Sequence, residues 1–284
     1  MIIDMHTHIF PSEIIAHRTD FARRDPWFAE LYGNPKARMA TAEDLVAAMD
    51  RHDITLALTC GFGWRDAGII RLANDYIIDA VKRYQTRLIG LAVVQPIDVA
   101  GTFVELARCS EVGLRGIGEL MPHGQGYRLN DMRVMTPIME AAMHYQLLVM
   151  THSSEPVGHL YPGKGDALPS DLLALITAFP TVHIIAAHWG GGLPFYHLMP
   201  EVAALTQNCW YDTAASPYLY RPDIFRIVGA TVGYDKILWA TDFPLMSYSP
   251  MLAYTAQAGM DAATSAMVMG ENAAQLLGIP VKEQ

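Results

Sequence analysis

The feature that most constrains this chain is a recurrence. Eight short apolar runs are each followed by a longer segment with helical patterning. The runs are Ile2–His8, Ile54–Cys60, Leu88–Val94, Leu114–Glu119, Leu147–His152, Val182–His188, Cys209–Thr213 and Ile237–Thr241. Their centres lack strict apolar/polar alternation, as expected of parallel strands covered on both faces. Helical patterns fall at Asp66–Tyr84, Val99–Glu111, Asp131–Tyr145, Ser170–Phe179, Pro194–Leu205, Pro222–Gly229 and Ala262–Leu277, the last broken near Gly270. Thr41, followed by Glu43 and Asp44, marks a helix start before Leu45–Met49. From His8 to His152 the chain advances 144 residues over four units, or about 36 per unit, and 284 residues hold close to eight such units. The pattern predicts a (β/α)8 TIM barrel, a single domain over residues 1–284, with a doubly wound open sheet as the alternative. Phe10–Ala40 is long for a strand-to-helix connection, and it reads as an insertion after strand one, at the barrel mouth.

The opening "MIIDMHTHIF" departs from the pattern of a buried strand. Asp4, His6 and His8 occupy alternate positions and so share one face. Ionisable groups on a buried face cost free energy unless something satisfies them, and one cation would satisfy two imidazoles at once. Barrel active sites form where strands end. The other strand ends supply Glu119 from "GIGEL", His152 from "LLVMTH", His188 from "HIIAAHWGGG" and Asp242 from "ILWATDFP". Any one of these is ordinary by itself; a single strand-end His or Asp more often makes a structural hydrogen bond. Their recurrence at five strand ends of one barrel points to a metal centre.

The remaining histidines lack this logic. His183 lies five residues before His188 and faces the other way on a strand. Loops after the strands offer substrate contacts: Trp64 and Arg65, His123 with Tyr127 and Arg128, and His159 in "GHLYPGKGD". Arg65, Arg128 or Lys164 could hold a substrate carboxylate, although each reads equally well as a solvated loop charge.

Other classes are disfavoured. A net charge of -9 argues against nucleic acid. Leu172–Pro200 lacks Asp, Glu, Lys and Arg, but its prolines, glycines and histidines argue against a membrane span. There is no GxSxG serine elbow, and the glycines of "GLRGIGEL" lie within and before a strand, not in a phosphate-binding turn. Three cysteines without a CxxC spacing suit reduced thiols. With the first strand starting at Ile2, a cytoplasmic setting is expected. The 51% hydrophobic content suits a large core and a homo-oligomer, expected as a dimer.

"MIIDMHTHIFP", the His of "MTHSSEP", "FPTVHIIAAHWGGGLPF", "DKILWATDFPL" and "GENAAQLLGI" together resemble the metal-dependent amidohydrolase superfamily. The resemblance is greatest to the amidohydrolase-related (amidohydrolase 2) branch that contains aminocarboxymuconate-semialdehyde decarboxylase, and it covers the whole chain. It implies that His6, His8, His152 and Asp242 hold one divalent ion, with zinc expected and manganese the alternative. His188 would polarise the substrate or bind a second ion, and Asp4 would support the ligands. Glu119 departs from the decarboxylases of the branch, while some hydrolytic relatives carry a carboxylate there. The chain is also shorter than the branch's typical decarboxylase. Both points favour a hydrolase, in which a metal-activated water attacks a carbonyl of a small acidic molecule. Asp242 would accept the proton and His188 would stabilise the oxyanion. Nonoxidative decarboxylation is the alternative. A catalytically inactive barrel serving as a binding subunit would have lost a ligand position, and none is lost.

Overall fold

The computed structural model describes residues 1–280. Eight parallel strands lie in sequence order: β1 (Ile3–His8), β2 (Leu56–Cys60), β3 (Leu88–Ala92), β4 (Gly116–Leu120), β5 (Leu148–Thr151), β6 (Ile184–Ala186), β7 (Cys209–Asp212) and β8 (Ile237–Leu238). The sheet closes between β8 and β1. Met5 N donates to Trp239 O at 3.0 Å, and beyond β8 Asp242 N donates to His6 O at 2.9 Å. His8 N donates to Phe243 O at 2.6 Å, beside the Thr7/Phe243 bridge. The (β/α)8 barrel expected from the spacing is the fold.

Why the strands lack alternation is visible in the packing. The two faces of β5 and of β6 feed different apolar clusters. Val149 joins one, Leu148 and Met150 the other; Ile184 and Ala186 likewise oppose Ile185. β1 is the exception, with Asp4, His6, Thr7 and His8 all buried.

Most helices fall where their patterns predicted. At the start of Ala42–Arg51, Asp44 N donates to Thr41 Oγ1, and Asp44 Oδ2 accepts from Thr41 N at 2.9 Å, forming a capping box. Pro194–Leu205 is not continuous; Met199 is extended before Pro200, and a 3-10 segment (Leu193–Leu198) precedes the helix Pro200–Leu205. A π-type turn at Met267–Glu271 breaks the last helix around Gly270, where a Cβ would sit 2.4 Å from Met1 O. The sequence pattern did not reveal the helix Tyr248–Ala256.

The insertion after β1 is itself helical: Ser12–Ala16, Arg18–Arg24 and Pro26–Tyr32. Asp25 caps the third helix by accepting from Trp27 N and Phe28 N, and its other oxygen accepts from Arg65 N. Phe28 and Tyr32 then pack with Phe62, and Phe28 also packs on Trp64, anchoring the insertion beside the barrel mouth.

Candidate metal centre

β1 delivers His6 and His8 as buried neighbours. Each ring has its Nδ1 committed: His6 to Asp212 Oδ2 at 2.8 Å, and His8 to Gly61 O at 3.0 Å. A carbonyl can only accept, so His8 Nδ1 carries a proton; the buried Asp212 carboxylate holds one on His6 Nδ1. That leaves two Nε2 atoms facing each other at 3.1 Å. Two lone pairs at that distance repel unless a cation, proton or metal, lies between them.

Carboxylates surround this point. Glu119 Oε2 lies 3.5 Å from His6 Nε2 and 3.4 Å from His8 Nε2. Asp242 Oδ1 lies 3.3 Å from His8 Nε2 and 3.8 Å from His6 Nε2. The other oxygen of Glu119 faces a second pair of imidazoles, 3.1 Å from His152 Nδ1 and 3.6 Å from His188 Nε2. Two potential ligand sets therefore share one carboxylate: His6, His8 and Glu119, and Glu119, His152 and His188. This donor set of imidazoles and carboxylates fits a divalent ion such as zinc or manganese.

The electrostatics agree with a site built for positive charge. Burial alone would push His188 down, but Glu119 and Asp242 outweigh it and raise its pKa to about 9. His6 is likewise held well above the usual imidazole value, because Glu119 and Asp212 outweigh its burial. Burial would raise Glu119, yet the surrounding histidines, His6 foremost, hold it well below the usual carboxylate range.

The segment that carries His188 is unusual. His188 does not end β6 as a strand residue. From His188 (φ 55°) through Gly192 (φ 92°), five successive residues are left-handed. A Cβ on Gly191 would stand 2.4 Å from Ser154 O, so the glycines permit the close backbone approach at the rim. Asp212 stabilises this turn too, accepting from His188 N at 2.9 Å and Ala214 N at 3.0 Å. Asp4, fully buried, accepts from Thr241 N and Oγ1, tying the strand-eight end to β1 below Asp242.

Above the cluster lies a cavity of about 430 Å³. His8, Glu119, His152, His188 and Asp242 form its polar floor; Trp27, Leu31, Met121, Leu219 and Leu245 contribute apolar wall. Tyr32, Tyr161 and Tyr218 add phenols.

Of the substrate contacts expected from sequence, only His159 lines this cavity. Trp64 is fully buried among Phe21, Phe28 and Phe62. Arg65 Nε donates to Gly124 O, and Arg128 is forked onto Asp171. His123 packs edge-on against Trp27 and pairs with Asp166. Lys164 donates to the carbonyls of Val157 and His159. These side chains serve local structure because nearby acids, carbonyls or aromatic rings already engage them. The only Arg or Lys among the lining residues is Arg38, from the insertion. Sequence reasoning missed it, as it missed Asp212, which ends β7 by the same strand-end logic that found the others.

The amidohydrolase family model, Amidohydro_2, matches residues 3–279. The chain belongs to that family. No curated protein matches the sequence significantly. Among solved structures, the fold is similar to 5-carboxyvanillate decarboxylase from Sphingomonas paucimobilis (TM-score 0.81, 19% identity, 98% of this chain and 99% of that one). It is similar to 5-carboxyvanillate decarboxylase from Novosphingobium aromaticivorans complexed with manganese and 4-hydroxy-3-methoxy-5-nitrobenzoic acid (TM-score 0.79, 20% identity, 98% and 96%). A dihydroxybenzoic acid decarboxylase from Polaromonas with manganese and 2-nitroresorcinol is also similar (TM-score 0.74, 18% identity, 98% and 96%). At these identities the likeness establishes the fold. Each match spans nearly the whole of both chains, so length no longer separates this amidohydrolase from decarboxylases. Among the described residues no helix is long and apolar enough to cross a membrane.

Proposed function

We propose that this amidohydrolase-family protein is a divalent-metal-dependent nonoxidative decarboxylase of a small aromatic carboxylic acid. The observation that carries the reading is the cavity: an ionisable floor, apolar walls and a single guanidinium, Arg38. A flat acid fits such walls, and Arg38 is the side chain that holds a carboxylate at the cavity wall. The aromatic acids named for the similar decarboxylase structures support the same substrate class. This reverses the preference for hydrolysis drawn from chain length and Glu119.

His6, His8, Glu119 and Asp242 would hold the ion, with His152 and His188 on the far side of Glu119. Manganese is favoured over zinc by the metals named for the similar structures. When bound, a divalent ion supplies Lewis-acid polarisation of a substrate oxygen. The chain's own residues do the rest. Apolar walls exclude water from the ring. His188, whose Nε2 lies 3.6 Å from Glu119 Oε1, is the proton source. The bond to the departing carboxylate breaks, its electron pair stays on the ring carbon, and that carbon takes the proton as CO2 leaves.

Hydrolysis is the second reading, favoured by one observation: Glu119 faces both ligand sets, as a carboxylate between two ions would. The test is a panel of hydroxybenzoates assayed for CO2 release by protein loaded with manganese or zinc, beside a panel of lactones and amides. CO2 release from the first panel is expected. Turnover confined to the second would replace decarboxylation with hydrolysis.

A further inference from the structure

A second cleft, of about 570 Å³, opens on the outer side of the insertion. It lies between residues 35–40, the helix Ala42–Arg51 and the chain after β8, and it shares Ala37 and Arg38 with the metal cavity. Arg18, Lys36, Arg38 and Arg51 all line it. None of the four has a carboxylate within 4.0 Å among the described residues. Most of the other arginines do have such a partner. Arg24 pairs with Asp66, Arg83 with Glu43, Arg87 with Asp50, and Arg108 with Asp75. Two of those acids, Glu43 and Asp50, belong to the same helix as Arg51 but are engaged by other arginines. The one acid lining the cleft, Asp44, is occupied by the hydroxyl and amide of Thr41 in the capping box. Four cations set against one carboxylate leave this cleft with an excess of positive charge in a chain of net charge -9, and an anion would offset it.

Most of the rest of the lining is apolar, with Met39, Ala48, Phe243 and Pro244 among it, beside His52, Ser247 and Tyr248. The cleft is also far larger than a bare oxyanion needs. We infer that it binds an organic phosphate of nucleotide size, the phosphate held by Arg18, Lys36, Arg38 and Arg51 and the organic part seated on the apolar floor. The inference does not depend on which reaction the metal cavity runs.

The experiment is calorimetric titration of the metal-loaded protein with AMP and, separately, with inorganic phosphate. AMP is expected to bind saturably, one per chain, and more tightly than phosphate. The double variant Arg18→Ala/Arg51→Ala, at positions that do not line the metal cavity, is expected to weaken AMP by about tenfold or more while metal content stays unchanged. Should the variant fail to fold, the salt dependence of the wild-type titration decides, since affinity resting on these cations must fall steeply with added KCl. No saturable AMP binding, phosphate as tight as AMP, undiminished binding by the folded double variant, or salt-independent affinity would each overturn the inference.

Discussion

Asp212 Oδ2 lies 2.8 Å from His6 Nδ1, and neither side chain is exposed to solvent. The bond fixes the tautomer of His6, so that Nε2 presents its lone pair to the cation site. Such partners of metal-binding histidines govern affinity as well as orientation. Asp212→Asn keeps the shape but can present an amide N–H to Nδ1 and reverse the tautomer. Metal affinity is expected to fall about 10–100-fold, measured by competition with a chromogenic chelator. Unchanged affinity would mean that Asp212 only stabilises the turn at His188.

Glu119 occupies the middle of the site, with one oxygen toward His6 and His8 and the other toward His152 and His188. Glu119→Gln retains volume and loses the charge that both histidine pairs face. Turnover is expected to drop by about 100-fold or more. Elemental analysis then separates the two roles. A fall from two ions per chain to one marks Glu119 as a bridge; one ion in both proteins marks it as a ligand or proton carrier.

Protons compete with metal at this cluster. In metal-free protein, His6 and His188 have raised pKa values. Their contribution to stability is complete below the unfolded histidine value of about 6.5 and is lost as pH rises through the folded values. Glu119 and Asp242 are depressed, burial being outweighed by the surrounding histidines. Their contribution is present above the unfolded carboxylate value of about 4 and is lost as acid protonates them. Metal-free protein is therefore expected to be most stable at roughly pH 5 to 6.5, by denaturant titration across pH. Metal must displace the protons held by the ligands His6 and His8, so its affinity is expected to rise as pH increases above about 6. Calorimetry in two buffers of different ionisation heat counts the protons released; none released at neutral pH would contradict the assignment.

Gly191 holds a left-handed conformation against Ser154, where a Cβ would meet the carbonyl at 2.4 Å. Gly191→Ala forces the turn outward and shifts His188. A loss of about 2 kcal/mol or more is expected, lowering Tm by roughly 2–4 °C per kcal/mol. Gly259 also has a positive φ but meets nothing within 4 Å, so Gly259→Ala is the milder control.

What could be read from sequence follows from where information is local. The barrel was legible because each strand–helix unit carries its own hydrophobic pattern. The cluster of potential ligands was legible because the strand ends fix His6, His8, Glu119, His152 and Asp242 on rigid elements. His188 was found for the right neighbourhood but the wrong backbone; its left-handed turn depends on Ser154 and Asp212, which lie far away in sequence. The substrate contacts were the least legible. Arg128 and Arg65 look like Arg38 in a sequence, and only the fold shows that the first two are engaged by Asp171 and Gly124 while the third is unpaired at the cavity wall.

Arg38 is therefore the residue on which substrate binding is most sharply tested. It is the only Arg or Lys lining the metal cavity, and no carboxylate of the described chain competes for it. A charge-assisted hydrogen bond to a substrate carboxylate is worth about 1.5–3 kcal/mol. Arg38→Ala is expected to raise KM for an aromatic acid by about 10–100-fold without lowering kcat, because the guanidinium holds the carboxylate in the ground state and that group loses its charge as CO2 departs. Arg38→Lys retains the charge and loses the planar fork, so it is expected to recover only part of the affinity. Metal content should match the wild type in both variants, which separates loss of substrate binding from loss of the ion. An unchanged KM in Arg38→Ala would remove Arg38 from the substrate site and, with it, the structural reason for preferring an acidic substrate.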